Sequence, residues 1–369
     1  MPSRAPHAGP LRLDLGEPDF ATPEHVIAEA EEALRQGLTH YGPSEGLPEL
    51  REAISEHLAV FGIDAEPSEI LVTPGASFAL FLALKAVLRP GDEVIVPAPS
   101  WFVYPSLIRL AGGKCIFVDF GPDYKPDQEA LEGAVGPRTK AIIINTPNNP
   151  SGKALSAEEV RLLWDLAIEH DLFIISDEVY KMITYDGVRH FSLASKKGPR
   201  EKVMLVDAFS KAYAMTGWRL GYLVAPKPLR DEMVAVQRAL IMCVPPFIQR
   251  AGLAALRGPQ EPVRTMVAEY QARRDLALEA LSAIPGVRVR RPEGALYLFP
   301  DLSAYGLRSS VLVAELEREF NVKLMPGELF GPGYEHYIRI SFCRPREELI
   351  EGLRRLAEFL RRIRRVRSD

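Results

Sequence analysis

A small set of side chains has types and spacings suited to chemistry on a compact organic group. Lys211 and Arg219 stand eight residues apart in "SKAYAMTGWR", Asp177 and Tyr180 three apart in "ISDEVY", and Asn149 lies in "NTPNNPSG". A lysine taken out of water is an amine nucleophile and a proton carrier. A carboxylate can ion-pair with a protonated ring nitrogen, while a phenol and an amide can hydrogen-bond an oxyanion. In "TPGASFAL" (73–80) small residues open a helix. Such a junction takes an anion such as a phosphate through backbone N–H groups and the helix dipole, with Arg219 as the countercharge.

These residues need elements that carry them to one place. From about residue 70, β-rich runs alternate with helical patterns: "EILVT" (69–73), "EVIVP" (93–97), "CIFVDF" (115–120), "AIIIN" (141–145), "LFIISDE" (172–178), "VMLVDAF" (203–209) and "LGYLVA" (220–225). Runs apolar on both faces, separated by helices, predict a mainly parallel α/β sheet covered on both sides. Ser156 with Glu159 three later predicts a capping box for the helix that follows. Open α/β sheets bind ligands beyond the carboxyl ends of their strands. The ends of "AIIIN", "LFIISDE" and "VMLVDAF" deliver Asn149, Asp177 with Tyr180, and Lys211 to one region.

After about residue 250 the alternation stops. A long helix, short strands around "VRVRR" and "ALYLFP", a helix at 309–320, "YIRISFC" (337–343) and a final helix predict a smaller α+β part. The first ~35 residues hold one helix (24–36), too little for a core of their own, and are expected to pack on that part. The domains are accordingly drawn as 40–252, large and ligand-binding, with 1–39 and 253–369 forming the smaller one.

Composition narrows the class of function. The 369 residues carry a net charge of −4, which gives no drive toward nucleic acid or anionic membrane. The three cysteines, Cys115, Cys243 and Cys343, are far apart and lack metal-ligand spacing. The first 16 residues lack the apolar run of a secretory signal, and no segment has the ~20 apolar residues that span a bilayer. The expected location is the cytoplasm. The basic tail "LRRLAEFLRRIRRVRSD" places Leu349, Leu353, Leu356, Leu360 and Ile363 at helical spacing, so it reads as an amphipathic helix with a solvated basic face.

A buried lysine, an aspartate, a tyrosine and a phosphate cradle suit a cofactor with an aldehyde, a ring nitrogen, a phenolic oxygen and a phosphate; pyridoxal 5′-phosphate has all four. The chain also resembles the class I/II aminotransferases of fold type I, close to the aspartate and aromatic aminotransferase group. The resemblance runs through "LDLGEPDFATP", "THYGPSEGLPELREAI", "VTPGASFAL", "PGDEVIVPAPSWFVYP", "NTPNNPSG", "ISDEVY", "SKAYAMTGWRLGY", "PEGALYLFP" and "YIRISF", in that order. It implies that Lys211 forms the Schiff base and moves the proton at the substrate Cα, that Asp177 pairs with the pyridinium nitrogen, and that Tyr180 and Asn149 hydrogen-bond the phenolic oxygen. It further implies Trp101 stacked on the ring and Gly75, Ala76, Ser77, Ser210 and Arg219 around the phosphate. Ala208 stands where relatives often have a serine or glycine, so Ser210 is expected to supply a hydroxyl instead. Tyr41 would reach the phosphate from the neighbouring subunit of a homodimer. Arg339, with Asn149, Trp101 and the Gly16 backbone, would hold the substrate α-carboxylate.

The implied reaction is ping-pong transfer of an amino group from an L-amino acid, of aspartate type or broad range, to a 2-oxo acid such as 2-oxoglutarate. A β-lyase or C–S lyase on the same fold uses the same residues and stays open. A non-catalytic regulatory domain would carry an appended DNA-binding module, for which this length leaves no room. For a distal carboxylate, Arg109, Lys181 and Arg189 are candidates by position alone, while "IMCVPPFIQ" (241–249), expected to border the site, is mostly apolar. His190 reads as structural.

Overall fold

The computed structural model describes residues 9–195 and 200–368. The initial eight residues, part of the stretch judged not to be a signal, lie outside the described residues. In chain order the strands are β1 (Leu11–Arg12), β2 (Ile70–Thr73), β3 (Glu93–Ala98), β4 (Lys114–Asp119), β5 (Thr139–Asn145), β6 (Phe173–Asp177), β7 (Val203–Ala208) and β8 (Gly221–Val224). They are followed by β9 (Tyr297–Leu298), β10 (Val322–Lys323), β11 (Met325–Pro326) and β12 (Ile338–Ser341).

Seven strands form the central sheet, in the order β2-β8-β7-β6-β5-β3-β4. Only β8 runs against its neighbours, pairing antiparallel with both β2 and β7. Two reversals restore direction, so β2 ends on the same edge as β5, β6 and β7. That shared edge is where the chemistry-bearing loops leave. All four residues of β2 and of β8 and all six of β7 are buried, as a sheet covered on both faces requires. This is fold type I architecture: a mainly parallel sheet flanked by helices.

Local signals account for the covering helices. Ser156 Oγ accepts from Glu159 N–H at 3.2 Å while Glu159 returns a bond to Ser156 N–H at 2.7 Å. This capping box starts the helix Ala157–Glu169, which buries Val160, Leu163 and Trp164. The final helix, Arg346–Ser368, buries Leu349, Leu353, Leu356 and Leu360 in a second core with β9, β12 and the helix Glu261–Ser282. Its apolar stripe is therefore used internally.

Two expectations change. The leading segment divides: β1 pairs with β10 in the smaller part, but helix Glu24–Arg35 places Val26 and Ala30 in a core with Leu50, Ile54 and Leu205 on the large sheet. An apolar helix face announces that it will be buried, not against what. "VRVRR" forms no strand; Arg288 makes one isolated bridge, to Asp301.

Candidate active site

The loops beyond the sheet edge enclose a cavity of about 310 Å³. Gly16, Ala76, Ser77, Trp101, Asn149, Asp177, Tyr180, Ser210, Lys211, Arg219 and Arg339 line it, so most of the residues singled out in the sequence meet at one place. Gly75 is not among the lining residues, though it immediately precedes Ala76. Tyr41 does not line this cavity; it is 81% exposed.

Asp177 ends β6, between Asn145 of β5 and Val206 of β7 in register. It is buried, and Tyr104 O–H donates to its Oδ2 at 2.6 Å. Burial pushes its carboxyl up to about 6; the bonds from Tyr104 and the Val179 N–H oppose that rise. Asn145 Nδ2 donates to the Asp177 carbonyl at 3.0 Å and its Oδ1 accepts from Asn149 N–H at 2.7 Å, joining two of the loops.

Lys211 follows β7 by three residues, in the short helix Phe209–Ala212. Its Nζ donates to the Gly16 carbonyl at 2.6 Å. Desolvation lowers its pKa from the ordinary lysine value; Arg339 and Arg219 push the same way, while Cys343 and Glu17 oppose them. An amine so placed gives up its proton more readily than a surface lysine. Gly16 packs so closely on Tyr297 that a side chain there would overlap the Tyr297 hydroxyl.

The anion end begins at Gly75, with φ +87°, ahead of the helix Ala76–Val87, whose start no side chain caps. Its first-turn N–H groups are thus available to a ligand beside Ala76 and Ser77. The Arg219 guanidinium closes the cradle: a Cβ at Gly75 would come within 2.6 Å of its Nη2. A Thr216 carbonyl accepts from Arg219 Nη1 at 2.8 Å.

At the opposite wall Arg339, on β12, is buried. Its Nη1 donates to Asn149 Oδ1 at 2.9 Å and its Nη2 to the Asp14 carbonyl at 2.5 Å. Its guanidinium lies 4.3 Å from the Tyr297 ring centre. Its Nε is buried and finds no partner among the described residues. A buried unpaired donor on a cation is costly unless a ligand takes it. Tyr180 and Tyr297 share a hydroxyl–hydroxyl bond at 2.8 Å, and burial holds the Tyr180 phenol well above its usual pKa.

Tyr104, Tyr297 and Asn145 are site residues that sequence reasoning passed over. Tyr104 stands three residues after Trp101, the spacing that marked Asp177 with Tyr180, and that was its signal. The Trp101 ring meets Tyr104 edge-on at 5.5 Å. Leu15, Glu17, Phe102, Val179, Ala208 and Thr216 complete the lining. Arg109, Lys181 and Arg189 are not among the lining residues, nor is any residue of 241–249. His190 bonds Glu178 Oε2 at 2.7 Å in a buried cluster outside the cavity.

Residues 8–356 match the sequence profile of the family described as "Aminotransferase class I and II". The aromatic-amino-acid aminotransferase 2 of Thermococcus litoralis is 41% identical over 96% of this chain and 92% of its own. The aspartate aminotransferase of Pyrococcus abyssi is 42% identical over 95% of this chain and 92% of its own. Among solved structures, an aromatic aminotransferase from Pyrococcus horikoshii superposes with a TM-score of 0.93 at 40% identity, covering 96% of each chain. With the fold, the cavity and these likenesses in agreement, the chain belongs to the class I and II aminotransferases.

Proposed function

We propose that the cavity holds pyridoxal 5′-phosphate and that the enzyme uses it to move an amino group from an L-amino acid to a 2-oxo acid. The convergence of a desolvated amine, a buried carboxylate and an uncapped helix start on one cavity carries this reading. The residues present fit the cofactor: the Gly75 cradle with Arg219 suits a phosphate, and Asp177 suits a ring cation that would offset the cost of its buried charge.

When bound, the cofactor supplies an aldehyde that takes the amino group and a ring that accepts the electron pair left at the substrate Cα. Lys211 would hold the aldehyde carbon until substrate displaces it, and its freed amine would then carry the proton from the substrate Cα to that carbon, and back again in the second half-reaction. Asp177 keeps the ring nitrogen protonated. Tyr180 stays a neutral phenol and donates toward the ring oxygen, with Asn149 beside it. Arg339 binds the α-carboxylate with donors already oriented by Asn149 and Asp14, which limits the entropy lost on docking.

The side-chain end supports donors with apolar or aromatic side chains, within a broad range. Leu15, Phe102 and Val179 line the cavity, together with the carboxylate of Glu17. Lys211, Arg219 and Arg339 each have a role, so no further cation of this chain's described lining is left for a distal carboxylate. A dicarboxylate such as 2-oxoglutarate would draw that cation from a second subunit. Exposed Tyr41, Leu240, Ile241 and Met242 support a homodimer with shared sites, since Gly42 N–H contacts Cys243 Sγ and so brings Tyr41 and this loop into one apolar patch. Among the described residues no helix is long and apolar enough to cross a membrane.

The test is a panel of amino donors with 2-oxoglutarate and the cofactor-loaded protein. Glutamate formed in step with the donor's oxo acid is the expected result. Steady release of pyruvate and ammonia would identify a β-lyase instead, and no reaction would refute the reading.

A further inference from the structure

Behind the cavity wall lies a buried charged cluster that the chemistry above does not use. Lys181 Nζ pairs with Asp207 Oδ2 and donates to Tyr222 Oη at 3.0 Å, and Tyr222 O–H donates to the same Asp207 oxygen at 2.7 Å. Relative exposures of 3%, 5% and 2% put all three out of water, and none lines the cavity. Asp207 Oδ1 accepts from Ala208 N–H at 2.6 Å. Phe61, His57 and Glu178 also face Lys181; Glu178 is itself held by Ser176, Ser192 and His190.

The position of the pair in the chain is what gives it a use. Lys181 immediately follows Tyr180, and Asp207 precedes Ala208, four residues before Lys211. The β6–β7 ladder ends at Asp177 with Val206, and one further backbone bond joins Glu178 N–H to the Val206 carbonyl. Beyond that point β6 gives way to a turn while β7 runs on to Ala208, paired with β8, and the Lys181–Asp207 pair links that turn to the end of β7. Such a pair is a poor source of net stability, because desolvation offsets most of the attraction. A geometric role fits it better.

We propose that Lys181 and Asp207 are positioning residues: their ion pair ties the segment that ends β6 and bears Asp177 and Tyr180 to the end of β7, from which the short helix with Ser210 and Lys211 leaves, and so sets how carboxylate and amine face each other. This rests on the functional reading above. A misplacement of about 1 Å at reacting groups costs on the order of 100-fold in rate, so a link of this kind governs turnover without touching substrate.

The test is a double-mutant cycle in the cofactor-loaded enzyme with Lys181→Met, Asp207→Asn and both together. The amide oxygen introduced by Asp207→Asn can still accept from Ala208 N–H, so that bond survives while the charge goes. Each single change is expected to lower kcat roughly 10- to 100-fold with KM within a few-fold, to displace the pH midpoint of the lysine–cofactor absorbance band, and to weaken cofactor retention on dialysis. The double variant should be no worse than the poorer single, because both remove one interaction. Wild-type kcat, band midpoint and retention in folded single variants, with only a lower melting temperature, would overturn the proposal. If the singles do not fold, the double variant and Tyr222→Phe decide: a displaced midpoint in either supports the tie, and an unchanged midpoint in both overturns it. A wild-type enzyme with neither band nor transfer would refute the functional reading instead.

Discussion

At one end of the cavity Lys211, Asp177 and Tyr180 are fixed by adjacent parallel strands and by hydrogen bonds of 2.6–2.8 Å to Gly16, Tyr104 and Tyr297. Elsewhere in the lining, Leu15 and Phe102 are each 38% exposed, and exposed Glu17 accepts a hydrogen bond from Thr216 Oγ1 at 2.8 Å. The first end is pre-organised and, in the proposed reaction, would carry the chemistry; the second is more open and would face the substrate side chain. Reaction and selectivity should therefore respond to mutation by very different amounts.

The sharpest break is at Lys211. Lys211→Ala should lower turnover by on the order of 10⁴-fold or more, because one group serves as tether and as proton carrier. It should also abolish the lysine–cofactor absorbance band. Retained turnover would remove the lysine from the mechanism.

Asp177 should show a cost that exists only without cofactor. Its carboxyl titrates near 6 in the fold against an ordinary 3.8. Between those values the native chain holds more protons than the unfolded one, so stability falls as pH rises through about 6. The difference is on the order of 3 kcal/mol. Asp177→Asn should raise the melting temperature of cofactor-free protein by a few degrees at pH 8, and the gain should vanish below pH 4. The same variant should lose most activity when loaded. A gain independent of pH would show that the buried charge is not its source.

Arg339→Lys comes next. A lysine cannot reproduce the planar fork that meets Asn149, the Asp14 carbonyl and a carboxylate together. Steady-state kinetics should show kcat/KM lower by roughly 10- to 100-fold, the worth of one charge-assisted bond, mostly through KM.

The contrast between the two ends also separates what sequence could show from what it could not. Lys211, Asp177 and Asn149 stand just past apolar strand runs, so local pattern and the strand-end rule located them. Tyr104 meets Asp177 across 73 positions and Tyr297 meets Tyr180 across 117. An aromatic in such a run reads as core until its hydroxyl finds a distant partner. The helix Glu24–Arg35 shows the same limit at larger scale, since its apolar face could have been buried by either core. Lys181 read as a candidate distal cation by position alone, yet in the fold it lies outside the cavity lining, paired with Asp207. The rest of the lining comes from segments around residues 15, 102, 179 and 216, brought together only by the whole fold.

The weakest lever is the one that reports most directly on selectivity. Glu17 is exposed at the cavity rim, and a distal carboxylate seated near it would meet a like charge. At a separation of about 7 Å in a water-like medium the repulsion is about 0.6 kcal/mol. Glu17→Gln keeps an acceptor for Thr216 and removes only the charge. The ratio of kcat/KM for a dicarboxylic donor to that for an aromatic donor should rise about two- to threefold, with the aromatic value little changed. Since the charge is exposed, the shift should shrink as salt is raised from 0.01 to 1 M. A rise in both donors alike would mean that Glu17 acts on the lysine end rather than on the substrate side chain, and the division between the two ends would fail.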